Sequence, residues 1–239
     1  MRESETSSTA PTAASPSAVD GAVVVVTTTG VRSAKKLATR QTLLSAALQL
    51  MERQSLSSLG LREVTREAGI APAAFYRHFA DLGELGVALV EESLGCMHEL
   101  IRDIRTPEAE TEDIMRRTVD VVAEHVRADR PHFRFIARER HGGVAAVREA
   151  IAAELDTYID ELVEDLKLQP GSQGWDDAEL RVLGRLYVNV IMLTAADLLD
   201  AELDNPAAEQ QIITEALTQL RIVTLGREHW LTGRPTSGS

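Results

Sequence analysis

Cysteine is nearly absent from this sequence, which has 239 residues and the single cysteine Cys96. A lone cysteine cannot close an internal disulfide, so the sequence argues against a disulfide-stapled extracellular fold. No secretory signal peptide is predicted, because the apolar run Ala22–Val26 is short and Arg2 before it is offset by Glu3 and Glu5. These absences predict a cytoplasmic protein.

Long hydrophobic runs and catalytic motifs are also missing. No segment approaches the roughly 20 consecutive apolar residues of a membrane-spanning helix, so no membrane partner is predicted. The six histidines show no metal-ligand spacing of the i, i+4 or HExxH kind, so neither a metal nor a cofactor is predicted. No nucleophile elbow, phosphate-binding loop or catalytic pair of carboxylates is recognisable, which argues against an enzyme.

Positive charge is scarce overall, since the net charge is −12, but it is concentrated in one region. Residues 31–80 carry eight basic and three acidic side chains, a net charge of +5, whereas residues 81–239 carry −15. The basic side chains are Arg32, Lys35, Lys36, Arg40, Arg53, Arg62, Arg66 and Arg77. Phosphate contacts need positive charge at the contact surface, not a positive net charge of the whole protein. The sequence therefore predicts a basic module on an acidic body.

Turn and capping residues divide the chain into helices. Residues 1–30 are rich in Ser, Thr, Ala and Pro and are predicted to be a disordered tail. Beyond Gly30 the apolar spacing is helical, which predicts an all-α protein with nine helices and no strand. The helices are expected near residues 36–53, 60–68, 72–78, 81–105, 107–128, 131–141, 144–167, 176–203 and 205–231. Residues 31–80 are predicted to form a small domain and residues 81–239 a larger one.

The segment Leu61–Phe79 has the pattern of a helix-turn-helix. Gly69 provides the tight turn, and Pro72 suits the first turn of the second helix. Leu61, Val64, Ala68, Ile70, Phe75 and Phe79 are predicted to pack inward. The same pattern predicts that the following side chains face outward: Arg62, Arg66, Tyr76, Arg77 and His78. A short helix with such exposed side chains is typical of a unit that enters the major groove of duplex DNA.

This segment resembles the TetR family of bacterial regulators. The likeness is carried by Arg40, Ala46-Ala47, Arg62-Glu63-Val64, Ala68-Gly69-Ile70, Phe75-Tyr76-Arg77-His78-Phe79 and Glu84-Leu85. The resemblance implies a nine-helix TetR-type fold, with a three-helix DNA-binding domain at 31–80 and a six-helix ligand-binding and dimerisation domain at 81–239. It also implies a repressor that binds a palindromic operator as a homodimer.

Roles of individual residues in DNA binding follow from this resemblance. Pro72, Ala73 and Ala74 are expected to face base edges, where alanine methyl groups can touch thymine methyls. Phosphate contacts are expected from Arg40, Arg62, Tyr76 and His78, with Arg77 near enough for either task. Lys35 and Lys36 would reach the backbone or the minor groove. Many relatives carry a lysine where this chain has Leu82, so that phosphate contact is either absent or made by the bare helix N-terminus.

A narrower resemblance concerns repressors of unsaturated fatty acid synthesis and acyl-chain desaturation. Its residues extend from Arg62–Pro72 and Phe75–Phe79 through Asp81 and Glu84-Leu85-Gly86 to Val90–Ser93, and include Phe133-Arg134, Ala137–Arg140 and Gly142. The resemblance implies that the body binds long-chain acyl-CoA. The expected ligand-binding residues are Leu89, Met97, Val122, Arg138, Leu155, Leu186 and Val190. Arg134, Arg140 and Arg148 are further candidates for the CoA phosphates, although surface ion pairs with Glu139 or Glu149 explain any one of these arginines better. A plain helical core explains the apolar positions equally well.

The last two predicted helices carry apolar residues on more than one face, which leaves one face for a partner chain. In this family they pair across a two-fold axis into a four-helix bundle. Ligand binding would shift the fourth helix and change the separation of the two DNA-reading helices. An architectural DNA-binding protein and an all-helical enzyme remain alternatives, as does a regulator of a drug-efflux or other catabolic operon, which an aromatic content of only 4% does not favour.

Overall fold

The computed structural model describes residues 28–104, 110–201 and 205–230. Side chains are described over the same ranges except at residues 28–32, 96, 97, 99, 100 and 170. Residues 1–27 of the predicted tail and the side chains of Cys96 and Met97 therefore lie outside the described residues. The chain splits into two compact units, Met1–Leu37 and Ala38–Ser239.

Nine α-helices and no strand are found in the described ranges, which confirms the predicted all-α fold. The helices are α1 (Thr28–Leu50), α2 (Leu61–Glu67), α3 (Pro72–Phe75), α4 (Leu82–Ile104), α5 (Thr111–Ala128), α6 (Arg130–Glu139), α7 (Ala145–Lys167), α8 (Asp177–Asp200) and α9 (Pro206–His229). Two 3-10 turns, Leu56–Ser58 and Pro170–Ser172, lie in the connections after α1 and α7. The sequence did not predict either turn.

Capping residues fix several helix ends as predicted. The Asp81 carboxylate accepts the backbone N–H of Glu84 at 2.9 Å, at the start of α4. Asp176 and Glu179 form a reciprocal capping box at α8, and Asn205 accepts the N–H of Ala208 at α9. Glu63 does not cap α2; its Oε1 accepts instead from Nε2 of Gln54 at 3.1 Å.

The observed helix boundaries differ from the predicted ones at several ends, among them the start of α1 and the end of α3. Gly30 does not end a segment but lies inside α1, which begins at Thr28. Helix α3 ends at Phe75 rather than near residue 78, because the N–H groups of Arg77 and His78 bond to carbonyls three residues earlier, at Ala74 and Phe75. This tighter turn is the usual way for a short helix to end.

One apolar core joins the small N-terminal part, here called the head (Ala38–Phe79), to the larger body (Leu82–Trp230). Val64 and Phe75 of the head share this core with Leu85 of α4, Ile136 of α6 and Val147 of α7. The core leaves no space beside Gly86, where an added Cβ would lie 2.5 Å from the Leu56 side chain and 2.6 Å from that of Val147. Head and body therefore pack directly against each other.

Helix α8 is the centre of the body and packs against α5, α6, α7 and α9. By length and composition it is apolar enough to cross a membrane, although no such segment was predicted. Core helices of soluble proteins meet the same criterion, and Leu180, Leu183, Ala195, Leu198 and Leu199 of α8 are buried within the body. The apolar composition of α8 is explained by this burial together with the exposed face described below.

Candidate DNA-binding surface and ligand cavity

The helix-turn-helix of the head presents basic and aromatic side chains over a small buried core. Gly69 has a φ of 65°, the left-handed conformation that the turn between α2 and α3 requires. Phe75 is fully buried, whereas its neighbour Tyr76 is 63% exposed. Arg62, Arg66 and Arg77 are also exposed, so the outward side chains of the predicted pattern lie on the surface, except that His78 is half-buried.

The N-terminus of α3 has small side chains at the positions predicted to face bases. Pro72 and Ala73 are exposed, and Ala74 is half-buried. Side chains of this size let the helix backbone approach a groove closely. The arrangement provides apolar contact surface at the tip of α3, with the larger Tyr76 and Arg77 at its other end.

Aromatic packing orients the side chains that flank α3. The Phe75 ring lies 5.8 Å from the Tyr76 ring in an edge-on arrangement and 5.7 Å from the Phe79 ring. The guanidinium of the half-buried Arg40 lies 5.1 Å from the centroid of Phe79, within the range of a cation–π contact. Lys35 and Lys36, which belong to the first compact unit, are exposed.

The N-terminus of α4 is less suited to a phosphate contact than a bare helix end. Leu82 is half-buried and packs against the main core. The Asp81 and Glu84 carboxylates accept the backbone N–H groups of Glu84 and Ala80. These carboxylates occupy backbone N–H groups that a phosphate would need. The sequence leaves open whether the phosphate contact at Leu82 is absent or is made by the bare helix N-terminus, and the structure favours its absence.

The body contains a partly open apolar cavity of about 160 Å³. Helices α4 to α9 all contribute to its wall, and most of the lining side chains are aliphatic or aromatic. They include Leu94, Ile114, Val122, Phe133, Ile136, Leu155, Leu162, Val188, Ile191, Met192 and Leu199. Such a wall suits a ligand with a long apolar portion.

The predicted ligand residues lie in different environments. Val122 and Leu155 line the cavity. Leu89 is fully buried in the core shared with the head, Val190 packs against the cluster around Met115 and Val119, and Leu186 is exposed on α8. Met97 has a side chain outside the described residues. The pattern of apolar residues could not separate these environments, because each residue lies on an apolar helix face.

The arginines predicted near a CoA head group also have structural roles. Arg138 is exposed, and its Nη1 donates to the carbonyl oxygens of Met51 at 2.6 Å and Gln54 at 2.9 Å. Arg148 donates to the carbonyl oxygen of Gly142 at 2.6 Å, while Arg134 and Arg140 are half-buried.

Most polar groups in the cavity wall bond to protein atoms. Ser93 donates to the Leu89 carbonyl at 2.6 Å and lies 2.7 Å from Nδ1 of His132. The Tyr158 hydroxyl donates to the Leu94 carbonyl at 2.6 Å. Sequence reasoning missed these residues, as it missed Gln169, Tyr187 and Arg227, because a polar residue on a long helix gives no local sign that it faces a cavity.

Helix α6 connects the cavity to the head. His132, Phe133, Ile136 and Ala137 contribute to the cavity wall. At the end of the same helix, Glu139 is buried and accepts the backbone N–H of Leu56 at 2.9 Å, in the 3-10 turn that follows α1. Glu139 and the neighbouring Arg138 therefore bond α6, which contributes to the cavity wall, directly to the head.

An apolar surface runs along α8 and α9. Val182, Leu186 and Leu193 are exposed at helical spacing on α8, and Ile222 and Leu225 are exposed on α9. Leu183, Leu217 and Leu220 of the same two helices are instead buried in the body. Exposed apolar surfaces of this kind mark interaction sites.

The fold and the helix-turn-helix surface define a class, the helix-turn-helix transcription regulators, and the comparisons with known proteins narrow it. Residues 43–88 match the model for bacterial regulatory proteins of the tetR family, and residues 109–220 match that for a tetracyclin repressor-like C-terminal domain. The chain belongs to the TetR family of transcriptional regulators. Members of this family bind DNA operators and dimerise.

Solved structures with the same fold are distant in sequence. FadR of Bacillus subtilis, in complex with stearoyl-CoA, is 16% identical with a TM-score of 0.59, over 78% of this chain and 98% of FadR. A TetR-family regulator of Streptomyces coelicolor is 19% identical with a TM-score of 0.59, over 78% and 96% of the two chains. SmeT in complex with triclosan is 18% identical with a TM-score of 0.57, over 74% and 91%. At these identities the likeness shows the fold alone.

Proposed function

We propose that this regulator is a homodimeric repressor of genes for fatty acid desaturation or lipid metabolism, and that long-chain acyl-CoA is its effector. The observation that carries the proposal is the apolar cavity whose α6 wall ends in direct bonds to the head. The stearoyl-CoA complex of the B. subtilis FadR supports it, because that protein has the same fold. The narrower sequence resemblance given above points to the same effector class.

The dimer would form through the exposed apolar faces of α8 and α9. Val182, Leu186 and Leu193 would pack against the same residues of a second copy, with Ile222 and Leu225 beside them. A two-fold axis there would present two α3 helices to a palindromic operator. Their separation must match one or more turns of duplex DNA, about 34–36 Å each.

The ligand would act by binding more tightly to the protein in one arrangement of the head than in the other. An acyl chain in contact with Phe133, Ile136 and Ala137 would favour one position of α6. Glu139 and Arg138 would transmit that position to the segment between α1 and α2. Helix α4, which shares the main core with the head, would move with it.

A second candidate is regulation of a drug-efflux or other catabolic operon by a different small apolar ligand. The observation that favours it is the group of aromatic rings in the cavity wall, Phe133, Tyr158 and Tyr187, which can stack on a planar ligand. The SmeT complex shows a neighbour of this fold with triclosan.

DNA binding in the presence and absence of acyl-CoA tests the proposal. Fluorescence anisotropy with the chain's own promoter region and with desaturase promoters should show binding to a palindromic fragment, and palmitoyl-CoA or oleoyl-CoA should change its affinity. Ala137→Leu would fill the cavity and should abolish the change, whereas Ala152→Leu makes the same substitution at an exposed position of α7 and should preserve it. DNA binding that no acyl-CoA alters would contradict the effector assignment.

A further inference from the structure

Arg227 is a buried cation in the wall of the cavity. It lies in the last turn of α9 and is 4% exposed. Its Nη1 donates to Oε1 of Gln169, just before the 3-10 turn Pro170–Ser172. Its Nε is buried without a hydrogen-bond partner. The arginine–carboxylate pairs of the described part of the chain involve Arg116, Arg127, Arg181 and Arg221 instead.

Within residues 28–104, 110–201 and 205–230, no carboxylate forms an ion pair with Arg227. Tyr187 also lines the cavity, but its hydroxyl is hydrogen-bonded to that of Thr224 at 2.8 Å. Burial raises the pKa of Tyr187 above its ordinary value, so the phenol is neutral at pH 7. A guanidinium taken out of water without an anion is strongly unfavourable, and buried charges are normally paired.

The Nε side of the guanidinium has no hydrogen-bond partner among the described residues. Gln169 accepts a hydrogen bond from Nη1. Nε and Nη2 lie beside Gly171, where an added Cβ would be 3.3 Å from each. Because residue 171 is a glycine, the guanidinium can lie directly against the backbone of the turn. The hydroxyl of Ser172, on the same turn, is likewise buried without a partner. The Nε–Nη2 edge is the fork with which arginine binds both oxygens of a carboxylate.

We infer that Arg227 and Gln169 form a binding site for the carboxylate of a free fatty acid. The acyl chain would extend along the aliphatic wall, which includes Leu166 and Leu220 as well as Ile136 of α6. A free acid differs from a CoA thioester in keeping its negative charge at the chain end, and that charge is what a buried arginine recognises. The site's regulatory role rests on the proposed function, but carboxylate binding is measurable without DNA.

Calorimetric titration of the purified full chain with three probes tests the site. Dodecanoate, dodecan-1-ol and dodecanoyl-CoA share one alkyl chain length and differ in the end group. Wild-type protein should bind dodecanoate about 10- to 100-fold more tightly than dodecan-1-ol, the range expected for a hydrogen bond to a charged group. Arg227→Met should remove that preference. Arg221→Met, an exposed arginine of the same helix paired with Glu112, should keep it.

A second variant supplies the missing anion from the protein. Gln169→Glu would place a carboxylate beside Arg227, which should weaken dodecanoate binding and raise the Tm of the ligand-free protein. Because this variant adds a carboxylate and keeps Arg227, it still tests the site if Arg227→Met does not fold. Equal wild-type affinity for acid and alcohol, or a preference that survives in both variants, would overturn the inference.

The outcomes separate this site from the proposed function. Arg227-dependent dodecanoate binding, together with DNA affinity that ignores acyl-CoA, would support the site and contradict acyl-CoA control. Acyl-CoA control of DNA binding with equal affinity for dodecanoate and dodecan-1-ol would support the proposed function and contradict the site.

Discussion

The head and the body use their side chains in opposite ways. In the head, a few buried residues such as Phe75 support exposed side chains such as Tyr76 and Arg77, which are predicted to contact DNA. In the body, the side chains proposed for function face inward, and the exposed apolar residues of α8 and α9 are candidates for a partner chain. We therefore expect that substitutions of exposed residues in the head can alter DNA binding without loss of stability, whereas substitutions in the cavity wall should change function and stability together.

The largest effect is expected from Phe75→Ala. Phe75 is fully buried between the rings of Tyr76 and Phe79, and truncation of such a residue costs about 3–5 kcal/mol. Thermal or denaturant unfolding should show this loss, accompanied by loss of DNA binding. An unfolding free energy that stays within about 1 kcal/mol of wild type would mean that the core of the head is not organised around this ring.

Glu139→Ala should uncouple the two regions at moderate cost. The variant leaves the buried N–H of Leu56 without its acceptor, which costs about 1–3 kcal/mol. DNA binding without ligand should remain, but its response to acyl-CoA should shrink in anisotropy titrations. Glu149→Ala, which makes the same substitution at an exposed position of α7, is the matched control and should respond as wild type does. An intact ligand response in Glu139→Ala would place the coupling elsewhere, for example in α4.

Tyr76→Ala should separate DNA binding from stability. The side chain is largely exposed, so the free energy of unfolding should change by less than about 0.5 kcal/mol. If the phenol contacts phosphate, as predicted, affinity should fall equally for the operator and for unrelated duplexes. A loss confined to certain base pairs of the operator would assign Tyr76 to base recognition.

The smallest effect concerns the exposed pair Glu112–Arg221. A hydrogen bond from Arg221 lowers the pKa of Glu112, so the pair stabilises the folded state above the ordinary pKa of glutamate. That stabilisation is lost as the pH falls through the lowered pKa. Glu112→Gln should therefore lower the Tm slightly at pH 7, and by less at a pH below the lowered pKa, as measured by calorimetry. A Tm difference that is the same at both pH values would show that the pair contributes no charge-dependent stability.

The helix-turn-helix was predictable because its signals are local in the sequence. Gly69 must adopt a left-handed turn, and the spacing of Val64, Phe75 and Phe79 defines the buried face. The ends of α4, α8 and α9 were predictable for the same reason, since Asp81, Asp176 and Asn205 cap them.

The cavity was only partly predictable, because it is formed by six helices that are distant along the chain. Leu155 lines it and Leu89 does not, although both are leucines on apolar helix faces. Arg227 gave no sign of its burial, which depends on the turn at Gly171 packing against α9. Tertiary packing, rather than periodicity, decides which apolar faces meet and which leave a space.

The close packing at Gly86 has a consequence for the design of chimeric sensors. A natural place to join the DNA-binding part of one regulator to the sensing part of another is the connection at residues 80–81. In this protein such a graft would also have to match Leu56 to Gly86 and Val147, where there is no room for a methyl group. Exchange of only the exposed residues of α2 and α3 would redirect a sensor to a new promoter while keeping that fit.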